Sequence, residues 1–134
     1  MHTSVDFDGK LWVLGGRRDI ENWWETDFND VWSTADGATW TRATANAGWS
    51  KRYGIAAVAW NNELWVMGGS RFFRSNDVWS SRNGASWTLR GHANWSPRFG
   101  LASTVFRDRV WVLGGKEGGG AFTNDVWFLD TLTR

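Results

Sequence analysis

The sequence predicts an all-β chain in which one four-stranded antiparallel unit is written three times, and three observations carry that prediction. LWVLGG at 11–16, LWVMGG at 64–69 and VWVLGG at 110–115 are a single element repeated. NDVW returns at Asn29, Asn76 and Asn124, so the unit is about 50 residues long, the fixed-period self-similarity of a repeat array. Inside each unit, short runs of strand character are cut by turn residues at matching places.

The first copy reads as strands at 2–7 and 11–14 around a turn at Asp8 and Gly9. A long loop at 17–28 follows, then strands at 31–34 and 39–42 around Asp36 and Gly37. The second copy, from Arg52 to Trp87, is the most complete. Its first run, 55–60, is small and apolar, and Asn61 and Asn62 turn it into the alternating run 64–67. A short loop at 70–75 leads to 78–80, and Asn83 and Gly84, both tolerant of positive φ, predict a two-residue hairpin into 86–89. The third copy gives 99–106, a turn at Arg107 and Asp108, 109–113, a glycine-rich loop at 118–120, and 126–129. Four antiparallel strands per repeat make one blade of a β-propeller. The chain therefore reads as one partial propeller domain, with blades at about 1–43, 52–90 and 98–134, and the last blade lacks its outer strand.

These residues resemble a kelch-repeat β-propeller. The resemblance rests on three double glycines closing the second strands, on the aromatics Trp32, Trp79 and Trp127, and on Trp40 and Trp87 eight residues after the first two of these. It covers nearly the whole chain, although Trp stands after Asn-Asp-Val where the family more often has Tyr. The resemblance implies either a scaffold that binds a protein segment or a glycan, or a sugar-active enzyme of epimerase or hydrolase type. The copper-oxidase version of the family needs a tyrosine joined to a cysteine, and this chain has Tyr53 alone and no cysteine.

Composition narrows the field. Thirteen tryptophans are the anomaly, and eleven of them recur as aromatics between copies, as packing between blades requires. Only Trp23 and Trp24 stand outside the repeat. A net charge of +1 with no basic block argues against a nucleic-acid or membrane-surface partner, and no apolar run reaches the length of a membrane span. The opening residues carry no signal-peptide pattern. Zero cysteines remove thiol chemistry and cysteine-bound metals, and His2 and His92 lie far apart in repeat position, so neither cofactor nor metal is expected. The recurring Asn-Asp pairs offer one carboxylate per copy, too few oxygens for calcium, and are expected to cap the turn before the third strand.

Strand order sets the binding face. In a four-stranded meander the tight first and third turns share one side; the second-to-third loops and the linkers between blades share the other. Long aromatic loops on a rigid scaffold are where binding concentrates. That side carries Trp23 and Trp24, then Arg71, Phe72, Phe73 and Arg74. The linkers add Trp49 and Trp95, together with Arg52 and Arg98, each two residues before the glycine that opens an inner strand. By resemblance, Arg52 and Arg98 could hold an acidic segment; alternatively, each fastens its linker to a nearby carbonyl or stacks on Tyr53, Phe99 or a linker tryptophan. For catalysis the candidate acids are Glu25, Asp27 and Glu117. Propellers close with about four to eight blades. Three blades therefore predict either a homodimer that closes a six-bladed ring or a piece of a longer propeller.

Overall fold

The structure, a computed structural model, describes residues 1–18 and 26–129. Among these the chain is all-β and forms three separate four-stranded antiparallel sheets. The first sheet holds β1 (Thr3–Phe7), β2 (Lys10–Arg17), β3 (Asp27–Thr34) and β4 (Thr41–Thr44) in sequential order. The second repeats it with β5 (Ala56–Trp60), β6 (Glu63–Met67), β7 (Asp77–Ser81) and β8 (Thr88–His92). The third runs β10 (Ala102–Phe106), β11 (Arg109–Glu117) and β12 (Phe122–Phe128), with the short β9 (Arg98–Phe99) pairing to the far end of β11. The glycine-rich loop is a 3₁₀ turn at Gly118–Gly120.

The turns obey their residues, with one difference from expectation. In each first hairpin both central residues have positive φ: Asp8 (51°) and Gly9 (67°), Asn61 (50°) and Asn62 (58°), Arg107 (49°) and Asp108 (55°). That geometry matches the right-handed twist of the flanking strands. The expected two-residue hairpin at Asn83 and Gly84 is instead a longer connection from Ser81 to Thr88, with positive φ at Gly84 alone. Side chains build it. Ser81 Oγ accepts the Gly84 N–H at 2.8 Å, and Asn83 Oδ1 accepts the N–H groups of Ala85 and Ser86 at 2.9 Å each. Thr34 and Asp36 organise the same turn in the first sheet, and two backbone donors, Thr39 first and then Ala38, hold Asp36 down to a pKa of about 2. The expected loop at 17–28 is also shorter, because β2 reaches Arg17 and β3 starts at Asp27, and in the third copy β11 and β12 extend to meet at Lys116 and Phe122 around the glycine-rich loop.

The double glycines join sheet to sheet. Gly69 sits at φ 99°, and a Cβ there would lie 2.5 Å from Ile55 Cγ2. Its N–H donates to the Arg98 carbonyl at 2.9 Å, as the Gly16 N–H donates to Arg52 at 3.0 Å. Only glycine permits both the conformation and the approach.

Two apolar cores fill the spaces between successive sheets. Phe7, Trp12, Leu14 and Val31 meet Ile55, Ala57, Leu64 and Val66 in the first. Val58, Trp65, Met67 and Val78 meet Leu101, Val110 and Val112 in the second. β5 packs between β1 and β10, so the opening strands of the three sheets lie side by side.

Candidate functional site at the linker and loop end

The Asn-Asp pairs do more than cap a turn. Asn29 Nδ2 donates to the carbonyls of Ala47 (3.2 Å) and Trp49 (3.0 Å), and Asn76 Nδ2 donates to those of Ala93 (3.0 Å) and Trp95 (3.1 Å). Each asparagine therefore fixes the linker that leaves its own sheet. The neighbouring aspartate receives the linker that arrives. Arg52 Nη1 and Nη2 donate to the two Asp77 oxygens at 2.5 and 3.0 Å, and Arg98 does the same to Asp125 at 2.6 and 3.0 Å.

Arg52 is 5% exposed and Arg98 1%. Arg52 spends its remaining donors on the Gly68 carbonyl and on the Ser50 carbonyl and hydroxyl. Arg98 uses the Gly114 and Ser96 carbonyls, the Ser96 and Thr123 hydroxyls and Glu117. Such bidentate pairing is the strongest use of a guanidinium, and it leaves these two arginines no donor for a ligand. Of the two alternatives open in the sequence, the structure takes the linker clamp.

Burial works to raise the Asp77 pKa, but hydrogen bonds from Arg52, Ser75 and Trp79 outweigh it and hold the carboxyl below its ordinary range. Asp125 is also held well below that range, chiefly by Arg98. Asp30, the equivalent in the first sheet, accepts from Trp32 Nε1 at 2.8 Å, and among the described residues no arginine reaches it.

Trp49 and Trp95 are not surface contacts either. They are 1% and 2% exposed, seated in the two cores. Trp23, Trp24 and Glu25 lie outside the described residues.

What the loop end does expose is the tip of the 70–75 loop. Phe72 is 60% exposed and Phe73 87%, with the Arg71 guanidinium 4.7 Å from the Phe72 ring centre. A cleft of about 290 Å³ runs under them, lined also by Ser50, Ser70 and Ser75. Beside it lies a row that sequence reasoning did not assemble. Arg17 covers Tyr53 at 3.9 Å, Tyr53 meets Phe99 edge-on at 5.3 Å, and Arg74 covers Phe99 at 5.3 Å. Tyr53 and Phe99 each follow a clamp arginine, which is the signal that could have placed them together.

The candidate acids are paired: Asp27 takes Arg17 at 2.6 and 3.0 Å, and Glu117 takes Arg98 at 2.9 Å. Among the described residues no group of three or more His, Cys, Asp or Glu is placed to hold a metal ion.

No family model matches the chain, and no curated protein matches it. Solved structures do match, in 124 chains. One, described as "Structure of YjhT", superposes with a TM-score of 0.75 at 16% identity, over 95% of this chain and 40% of that one. The likeness is one of fold, and the chain spans about 40% of the length of that structure.

Proposed function

We propose that the chain is a non-catalytic scaffold of kelch-propeller type that holds a protein segment or a glycan at its linker and loop end. The observation that carries this reading is the 70–75 loop, where two phenylalanines stand out, flanked by the half-buried Arg71 and Arg74, from a clamped framework. Exposed rings flanked by guanidinium groups suit both partners: they stack on a sugar or grip a side chain, while the arginines meet carbonyls and carboxylates. The pairing of Asp27 and Glu117 with arginines favours binding over acid/base chemistry. The side-by-side opening strands support the propeller arrangement.

Closure is part of the same proposal. Phe106, Leu113, Val126 and Phe128 lie open on the third sheet, at 57%, 39%, 57% and 38% exposure. The counterparts of Leu113 and Val126 in the first two sheets, Leu14 and Val31, Met67 and Val78, are buried in the cores against the next sheet. A second copy, offering the opposite face of its first sheet, would cover them and close a six-bladed ring by two-fold symmetry.

Parallel glycan and peptide arrays probed with the chain and with a Phe72→Ser, Phe73→Ser variant test the binding reading. Specific retention lost in the variant is expected; retention unchanged by both substitutions would overturn it.

A further inference from the structure

One rung, repeated in the three sheets, is filled in three ways. Where β2 meets β3, the last cross-strand pair is Arg17 opposite Asp27, and the two close an ion pair at 2.6 Å. In the third sheet the pair is Lys116 opposite Phe122, with the ammonium 4.9 Å from the ring centre. In the middle sheet it is Ser70 opposite Arg74. There a guanidinium stands where the first sheet has its acid, and a serine stands where it has its arginine. Arg74 is half-buried, its Nε is buried with no hydrogen-bond partner, and among the described residues no carboxylate pairs with it. Its guanidinium rests instead over Phe99, 5.3 Å from the ring centre. A cation withdrawn from water in this way is destabilised until an anion meets it.

The cleft under the 70–75 loop offers the place for one. The loop belongs to the middle sheet, which packs against a neighbour on either side. Arg71 and Arg74 line the cleft together with Ser50, Ser70 and the ring of Phe72, and among the described residues its lining has no carboxylate. Ser50 Oγ accepts from Arg52 Nη2 at 2.8 Å, which leaves its proton for a ligand. Arg52 itself is already neutralised by Asp77. A carboxylate is satisfied by one guanidinium, as Asp27 is by Arg17. Two guanidinium groups and two hydroxyls around one space match more oxygens and more charge than that, as a phosphate monoester brings.

We propose that this cleft is a phosphate-monoester site in which Arg74 is the recognising cation. The inference rests on the binding reading of the 70–75 loop and gives its ligand a class: the protein segment or glycan held there carries a phosphate. Arg74 and Arg71 meet the terminal oxygens, Ser50 and Ser70 donate to those that remain, and the organic part of the ester lies against Phe72. No covalent bond forms or breaks.

The test is calorimetric titration of the full chain with phenyl phosphate, and with benzoate as the matched carboxylate. Saturation at one phenyl phosphate per chain is expected, with benzoate weaker by about tenfold or more. Affinity should rise with pH through about 6, where the ester takes its second charge. Arg74→Gln should weaken phenyl phosphate by about tenfold or more, the size of a lost charged hydrogen bond, and Ser50→Ala, at an exposed position, by about threefold. Arg82→Gln, in the turn after β7, should change nothing. Phosphoserine and glucose 6-phosphate, titrated in the same way, tell whether the group arrives on a protein segment or on a sugar. Absence of saturation, benzoate as tight as phenyl phosphate, rejection of both biological esters, or an Arg74→Gln chain that binds as the Arg82→Gln chain does would overturn the site. Array retention that needs Phe72 and Phe73 but is indifferent to phosphate would keep the binding reading and overturn this one.

Discussion

The second and third sheets are made from the same motif and differ in what surrounds them. Val78 is fully buried and its counterpart Val126 is 57% exposed; Met67 is fully buried and Leu113 is 39% exposed. The clamp differs in the same way, since the Asp77 side chain is 12% exposed and the Asp125 side chain 36%. Even the glycines divide. A Cβ on Gly68 would meet Leu101 Cδ2 at 2.7 Å, whereas on Gly114 it would meet only a carbonyl oxygen at 3.0 Å. The motif therefore dictates strand, bulge and turn by itself, and a neighbouring sheet dictates burial.

Substitutions can break this comparison. The largest effect should come from the clamps. Arg52→Ala leaves Asp77 buried without its partner and should cost about 3–5 kcal/mol, whereas Asp125 can turn to water when Arg98 is removed, so Arg98→Ala should cost less. Chemical denaturation followed by tryptophan fluorescence ranks the two, and equal losses would contradict the role of the surroundings. Next, Val78→Ala removes two buried methyl groups and should cost about 2–3 kcal/mol, against about 0.5 kcal/mol or less for Val126→Ala in dilute chain.

The turns sharpen the point. Gly37 (φ 77°) and Gly84 (φ 71°) occupy the same place in successive sheets, but a Cβ on Gly37 meets nothing within 4 Å while one on Gly84 would lie 2.1 Å from the Trp12 ring. Gly37→Ala should cost about 1 kcal/mol, for the left-handed conformation alone, and Gly84→Ala about 2–3 kcal/mol, because the buried indole must also move.

The smallest effect is that of acid. The carboxyl pKa values of Asp77 and Asp125 are depressed in the folded chain, so the stability they supply is present above the ordinary aspartate pKa of about 4 and is lost as pH falls through their folded values. Denaturant midpoints should hold steady from pH 7 to about 5 and decline toward pH 3. A midpoint that rises on acidification would contradict the clamps.

Much of this was legible in the sequence, for physical reasons. Strand alternation, the double glycines and the first hairpin turns are local, and the structure follows them to within a few residues. The exposure of Phe72 and Phe73 was legible too, because a short loop between two strands has little room to bury large side chains at its tip, whereas the half-burial of Arg71 and Arg74 was not. What was not legible depends on contacts across 16 to 27 residues. A sequence places Arg52 and Asp77 far apart and cannot say that one guanidinium will satisfy the other. For the same reason the Asn-Asp pair reads as a turn cap, although its partners lie in two linkers. Trp49 and Trp95 read both as recurring packing aromatics and as binding candidates on the linkers, and the structure seats them in the two cores, with their carbonyls held by Asn29 and Asn76.

The most direct test is mass in solution. Light scattering behind a sizing column, over a range of concentrations, should give twice the 15.2 kDa chain mass for the chain as it stands. Val126→Arg, which places a charge on the open face without disturbing a buried site, should return it to a single chain mass. A mass of one chain at every concentration, or a doubled mass that survives Val126→Arg, would contradict closure through the third sheet.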